Sequence, residues 1–198
     1  MFGIPASARV LTGPFPDLEP YVESLELSRL VLLDDVAYNA ESWFVARCHH
    51  DLTARGVRGV VAFADPMPRH TADGRVITPG HAGVIYQALN FQLAGATTPR
   101  RLTALPDGTI FSDRSAQKIR SGDRGHDYAE RRLVTLGARP RHADDDPRRW
   151  LADALAAVGA RRLSHPGNHR YTTTLGRRTR GELAAAHAGR PTTVLRLW

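Results

Sequence analysis

Three groups of polar residues have the types and spacing that acid–base and group-transfer chemistry requires. The first surrounds Gly80-His81-Ala82-Gly83-Val84-Ile85-Tyr86-Gln87-Ala88-Leu89-Asn90, with Asp65-Pro66 before it and Gly95 after it. Small residues let a ligand's pyrophosphate approach the backbone closely, and Tyr86, Gln87 and Asn90 add donors and acceptors where the segment ends. Gln87, Ala88, Asn90 and Gly95 are therefore the cofactor-binding candidates. The second group is Ser28, Arg29, Asn39, Ser42 and Trp43. The third is Asn168-His169-Arg170-Tyr171, where strand alternation puts His169 and Tyr171 on one face and Arg170 on the other.

Several other chemistries lack their signatures. The chain has no Walker loop, no GxGxxG and no GxSxG. Its single cysteine, Cys48, excludes a cysteine-based zinc site and an internal disulfide framework. His49-His50-Asp51 resembles a metal cluster, but adjacent residues on a helix point about 100° apart and do not converge on one ion. No apolar run approaches the roughly 20 residues that span a bilayer, and the first residues lack a charged and then apolar leader. A cytoplasmic protein is expected.

Charge is unevenly placed. Residues 161–198 hold eight arginines against a single acid, Glu182, so this segment accounts for the whole net charge of +7. Lys118 is the only lysine, a bias that explains arginine over lysine but not a stretch nearly without acids. An arginine cluster of this kind is an electrostatic footprint for phosphate.

The elements that must position these residues follow from pattern. Residues 1–25 carry Pro5, Pro14, Pro16 and Pro20 and read as an extended arm. Leu25–Leu33 and Val57–Ala64 read as strands, and a helix starts at Asn39 and stops by Gly56. Residues 69–79 read as a polar loop turning at Asp73-Gly74, residues 80–88 as a third strand, and 90–95 as a short helix or turn. Asp107-Gly108 turns a hairpin between 100–104 and 109–111. Helices are expected over 113–120, 126–136, 148–158 and 181–188, with a last strand at 169–175. The sum is one α/β (α+β) domain over 26–198 with a mixed sheet and helices packed on it.

Taken in order, these segments resemble the Mom family of bacteriophage DNA-modification proteins. The resemblance rests on Leu27-Ser28-Arg29-Leu30, Asn39-x-x-Ser42-Trp43-Phe44, Phe63-Ala64-Asp65, Gly80-His81-x-Gly83-x-Ile85-Tyr86-Gln87-Ala88-x-Asn90-Phe91, Gly95, Asp107-Gly108, His169-Arg170-Tyr171 and Leu175-Gly176. It covers residues 26–182, and the Gly80–Asn90 stretch is its most specific part.

The resemblance implies a GNAT-like fold with a mixed, mostly antiparallel central sheet flanked by helices. It implies transfer of a methylcarbamoyl-type group to N6 of adenine in double-stranded DNA, protecting that DNA from restriction. A small-molecule group donor, acetyl-CoA or a related compound, and iron are the cofactors it brings with it. Ser28, Arg29, Asn39, Ser42, Asp65, His81 and Tyr86 are then the catalytic candidates, with Asp65 or His81 taking the proton and Asn39 or Asn90 reading the adenine edge. Trp43, His169, Arg170, Tyr171, Arg177, Arg178 and Arg180 are the DNA-binding ones, with Trp43 and Tyr86 as stacking walls for a flipped base. The acetyltransferase phosphate loop is missing where Gln87-Ala88-Leu89-Asn90-Phe91-Gln92 stands. Two rival readings stay open: a conventional acyl-CoA-dependent N-acyltransferase for a small-molecule or protein amine, and a non-catalytic DNA-binding protein.

Overall fold

A computed structural model describes residues 1–33, 35–36 and 39–176. The first part of the chain forms β1 (Phe2–Gly3), α1 (Arg9–Thr12), β2 (Ser24–Leu27), α2 (Ala40–Ala54) and β3 (Gly59–Ala64). There follow β4 (Arg69–His70), β5 (Val76–Thr78), α3 (Val84–Ala88), β6 (Gln92–Ala96), β7 (Arg100–Ala104) and β8 (Ile110–Phe111). The described part ends with α4 (Asp113–Ser121), α5 (His126–Thr135), α6 (Pro147–Ala157), β9 (Arg161–His165) and β10 (His169–Thr174). This is a mixed α+β chain with a mostly antiparallel central sheet, as expected. No helix among the described residues is long and apolar enough to cross a membrane.

The chain expected to form one domain divides into two compact units that interleave in sequence. Among the described residues, unit 1 holds those of 1–64, 83–95 and 169–176; unit 2 holds Asp65–Ala82 and Ala96–Asn168.

Unit 1 is built on the five-stranded sheet β1-β2-β3-β10-β6. β2 runs parallel to β3, and β10 pairs antiparallel with β3 over six residues, from His169 opposite Ala64 to Thr174 opposite Gly59. A parallel neighbour needs a crossover connection, and α2 supplies it. The apolar run of β3 alternates between two cores. Val60, Ala62 and Ala64 pack with Val45 of α2, Tyr86 of α3 and Tyr171 of β10. Val61 packs with Leu11 and Phe15. The expected extended arm is thus part of the fold: β1 pairs with β2, and Leu11 is fully buried.

Unit 2 gathers α4, α5 and α6 around Trp150, Leu151, Ile119, Leu133 and Phe111. The β8-β7-β9 sheet and the β4–β5 hairpin complete it. Local capping starts two of these helices. The Ser112 hydroxyl accepts from Ser115 N at 3.0 Å, and the Asp146 carboxylate accepts from Arg149 N at 2.8 Å ahead of Pro147. Ser112→Ala and Asp146→Ala should each cost about 1 kcal/mol, read as a lower urea midpoint with an unchanged slope.

Four segments differ from the sequence expectation. The strand expected over 25–33 stops at Leu27, and Val31 and Leu33 are 69% and 72% exposed. The strand expected over 80–88 is the turn into α3, because Gly83 takes φ +82° and an ideal Cβ there would lie 2.3 Å from the Tyr171 ring. The short helix or turn expected over 90–95 is a turn only at Asn90, and β6, the sheet edge, starts at Gln92. The loop expected over 69–79 is the β4–β5 hairpin, pinned where Ala72 N donates to Pro106 O at 2.7 Å. Residues 161–165, read only as part of a basic tail, form β9 along the whole of β7.

Candidate active site

Tyr86, Gln87 and Tyr171 come together inside unit 1. β10 register puts Tyr171 opposite Ala62, on the face covered by α2 and α3. The Tyr86 and Tyr171 rings lie 5.3 Å apart between centroids. The Tyr86 hydroxyl donates to Phe63 O at 3.3 Å, and the Gln87 amide donates to the Tyr171 hydroxyl at 3.2 Å. Burial pushes the Tyr86 phenol up, and the charge of Glu26 adds to it. Burial likewise raises the Glu26 carboxyl, a residue that the sequence analysis did not single out. The ring ladder continues from Tyr86 to Phe91, then to His49 at 5.6 Å and Phe2 at 5.8 Å. Burial holds His49 below its usual value, so this imidazole packs as a ring rather than as a cation.

This packing corrects two expectations. Tyr171 is 1% and Tyr86 7% exposed, so neither ring forms an open stacking wall or a DNA-facing surface. The small residues of the Gly80–Gly83 turn do not admit a ligand, because protein already fills the space. The Tyr171 ring occupies the Cβ position of Gly83, and Pro66 O lies 2.6 Å from that of Gly80.

Asp65 anchors the second cluster, inside unit 2. Its Oδ1 meets Nε2 of the fully buried His165 at 2.9 Å and accepts from Met67 N at 3.0 Å. Gly167 N donates to His165 Nδ1 at 3.0 Å. That bond claims the lone pair on Nδ1, so the ring proton sits on Nε2 and points at the carboxylate. Arg69 Nη2 stands 3.6 Å from Asp65 Oδ2. Burial pushes the Asp65 carboxyl up, but the Met67 amide, His165 and Arg69 outweigh it and hold the group below the ordinary aspartate range. A carboxylate held so low stays ionised at neutral pH. It is a strong hydrogen-bond acceptor and a weak base. The exposed His81 is tied to the same residue through its backbone, His81 N donating to Asp65 O at 2.7 Å. His165 escaped the sequence analysis; its signal was the alternation Leu163, His165 ahead of the Pro166-Gly167 turn.

The remaining candidates are placed as follows. Ser28 and Arg29 are exposed beyond the end of β2, with Ser28 Oγ 3.4 Å from Met1 O. Arg29 therefore needs no buried partner. Asn39 opens α2 in the left-handed region (φ +68°) with its side chain making no cap, and Ser42 is half-buried. Trp43 is no core residue: it is 62% exposed, with the Arg47 guanidinium 4.9 Å from its ring centroid. Ala46 and His50 continue this face of α2. Ala88 and Asn90 are exposed at the end of α3, with Asn90 at φ +62°. Gly95 lies on β6, where Arg170 Nη2 donates to Ala94 O at 3.2 Å. His169 is half-buried. Arg177, Arg178, Arg180 and the helix expected over 181–188 lie outside the described residues.

These features define an α+β protein with an ionised Asp65 paired to a buried histidine, a buried tyrosine cluster and an exposed Trp–Arg helix face. The chain belongs to the Mom protein family, whose model matches residues 1–192. Membership implies, in general terms, modification of adenine in phage DNA. No curated protein and no solved structure matches the chain.

Proposed function

We propose that this protein transfers a methylcarbamoyl-type group to N6 of adenine in double-stranded DNA and so shields that DNA from restriction. The observation that carries the reading is the family match, because it takes in both the Asp65–His165 pair and the tyrosine cluster.

The chemistry assigns separate tasks. The N6 amine donates its lone pair into the purine ring and is a poor nucleophile. As the N6–carbon bond forms, the donor's leaving group departs and N6 sheds a proton. Asp65, ionised and oriented by His165, accepts a hydrogen bond from an amine, and the exposed imidazole of His81 takes the proton. Within unit 1, taken by itself, the exposed indole of Trp43 on α2 offers a stacking surface, and the uncapped Asn39 amide has a bidentate donor–acceptor pair of the kind that matches an adenine edge. The buried tyrosines and Gln87 hold α3 against the sheet.

Neither the described His, Cys, Asp and Glu side chains nor the turn into α3 fits the cofactors that the resemblance implies. No three His, Cys, Asp or Glu side chains among them come together to hold a metal ion such as iron. The turn into α3 is filled by Tyr171 and Pro66, and α3 has only five residues, so this segment offers no cradle for the pyrophosphate of acetyl-CoA. No step is routed through either group, and nothing here favours an ordinary acyl-CoA-dependent acyltransferase.

Mass spectrometry of nucleosides from DNA of cells expressing the chain tests the reading. A heavier deoxyadenosine is expected with the native sequence and should vanish in Asp65→Asn, which keeps an acceptor oxygen, and in Asn39→Gly, which suits the left-handed backbone at φ +68°. Wild-type amounts of the modified base in Ser28, Asn39, Asp65 and Tyr86 variants alike would refute the site. Unmodified deoxyadenosine in a phage-infected host containing the folded chain would refute the activity. Neutralising Arg177, Arg178 and Arg180 together should flatten the dependence of DNA affinity on salt; an unchanged slope would remove their phosphate role.

A further inference from the structure

We propose that unit 2 carries a binding pocket for the terminal phosphate or pyrophosphate of a small molecule, next to the Asp65–His165 pair and sharing Arg69 with it. A cavity of about 420 Å³ opens where the β4–β5 hairpin faces β7 and β9. That volume lies in the range of small-ligand pockets. Arg69, His70, Arg161 and Ser164 contribute its polar lining, and no aspartate or glutamate lines it.

The cationic groups have unspent hydrogen-bonding capacity. Arg69 reaches the Asp65 carboxylate only at 3.6 Å, and its Nε is buried with no acceptor among the described residues. A guanidinium has five N–H donors, so most of those on Arg69 are unused. Arg161 is exposed at the start of β9, where its backbone pairs with Ala104 and its side chain makes no ion pair among the described residues. His70 is exposed beside it on the hairpin. The neighbouring acids are already engaged, Asp65 with His165, Met67 and Arg69, and Asp73 with the Thr71 hydroxyl. The Thr71 hydroxyl also meets Arg75 O at 3.2 Å, so it helps to hold the hairpin.

The shape selects the source of the phosphate. A duplex presents singly charged phosphodiesters on a convex surface, and a base flipped out of it requires a stacking wall. This cavity is concave, has two arginines, and is lined by no phenylalanine, tyrosine or tryptophan. A dianionic terminal phosphate, which two guanidinium forks bind bidentately, fits it better.

Isothermal titration of the full chain with inorganic pyrophosphate tests the assignment. Native protein should bind it, and Arg161→Gln should weaken binding about tenfold or more, as the loss of one charge-assisted contact does. Arg161 is exposed and its strand pairing is made by backbone, so this variant keeps the fold; circular dichroism verifies that. Arg69→Gln should weaken binding to a similar degree. Arg148→Gln, an exposed arginine on α6 outside the cavity, should bind as the native chain does. Absence of binding by the native chain would overturn the proposal. So would equal affinities in the Arg161 and Arg148 variants, or pyrophosphate displacement by a short duplex at equal phosphate concentration. None of these readouts requires DNA modification, so this inference and the proposed activity fail independently.

Discussion

Gly83→Ala should destabilise unit 1 by about 2–5 kcal/mol, through one backbone effect and one packing effect. At φ +82° an L side chain is strained whatever surrounds it. An alanine methyl would also lie 2.3 Å from Tyr171 Cε2, and that ring is pinned between Tyr86, the Gln87 amide and β3. Gly56 separates the two effects, because it has a similar φ of +88° and nothing within 4 Å of its missing Cβ. Gly56→Ala should therefore show the backbone cost alone, about 1–2 kcal/mol. The excess in Gly83→Ala measures the clash. Adding Tyr171→Ala should make the double variant less destabilised than the sum of its parts, since contacting sites couple. Urea unfolding of the four variants, Gly83→Ala, Gly56→Ala, Tyr171→Ala and the Gly83→Ala/Tyr171→Ala double, checks this. Equal losses for Gly83→Ala and Gly56→Ala would show that the Tyr171 ring yields.

His165→Leu should cost about 2–3 kcal/mol, because it strands two partners at once. The Asp65 carboxylate loses its donor, and the buried Gly167 amide loses its acceptor. The same substitution should raise the Asp65 pKa towards the ordinary aspartate value of about 4. The sign of the acid response follows from the direction of the native shift. Asp65 holds its proton less tightly folded than unfolded, so its stabilising contribution is full above about pH 4 and fades as pH falls through the lower native value. Asp65→Asn keeps an oxygen acceptor for His165 and Met67 but removes the charge. That variant should lose this acid-dependent component, measured as the change in unfolding free energy between neutral and acidic pH. An acid response identical to that of the native chain would show that other groups govern it. In DNA modification, His165→Gln should shift the pH profile as well as lower the rate if His165 orients Asp65. A fall in rate at every pH alike would limit His165 to a structural role.

Elements with local causes were legible in the sequence. α4 and α6 begin at Ser112 and at Asp146-Pro147, whose caps are made within three residues, and β3 declares itself as an unbroken apolar run. The hairpin of β7 and β8 follows from Asp107-Gly108. Asp65, His81, Tyr86, Gln87 and Tyr171 were visible as residue types, but the roles expected of Tyr86 and Tyr171 did not survive their burial. What the local pattern could not supply was their surroundings. Val84-Ile85-Tyr86 has the composition of a strand, yet forms α3 because Gly83 turns left-handed beneath a ring donated from β10, 88 positions further along the chain.

β1 and β9 were invisible for the same reason. One is two residues long and the other mostly polar, and each exists only through pairing with a distant partner. Residue types and their order determined the family, the acid–base candidates and the basic end of the chain. The tertiary structure decided which of them meet. It buried Tyr171, exposed Trp43, and joined Asp65 to His165 across 100 positions. Hydrogen bonds and packing between distant residues depend on how the whole chain closes, and no local window of sequence contains that information.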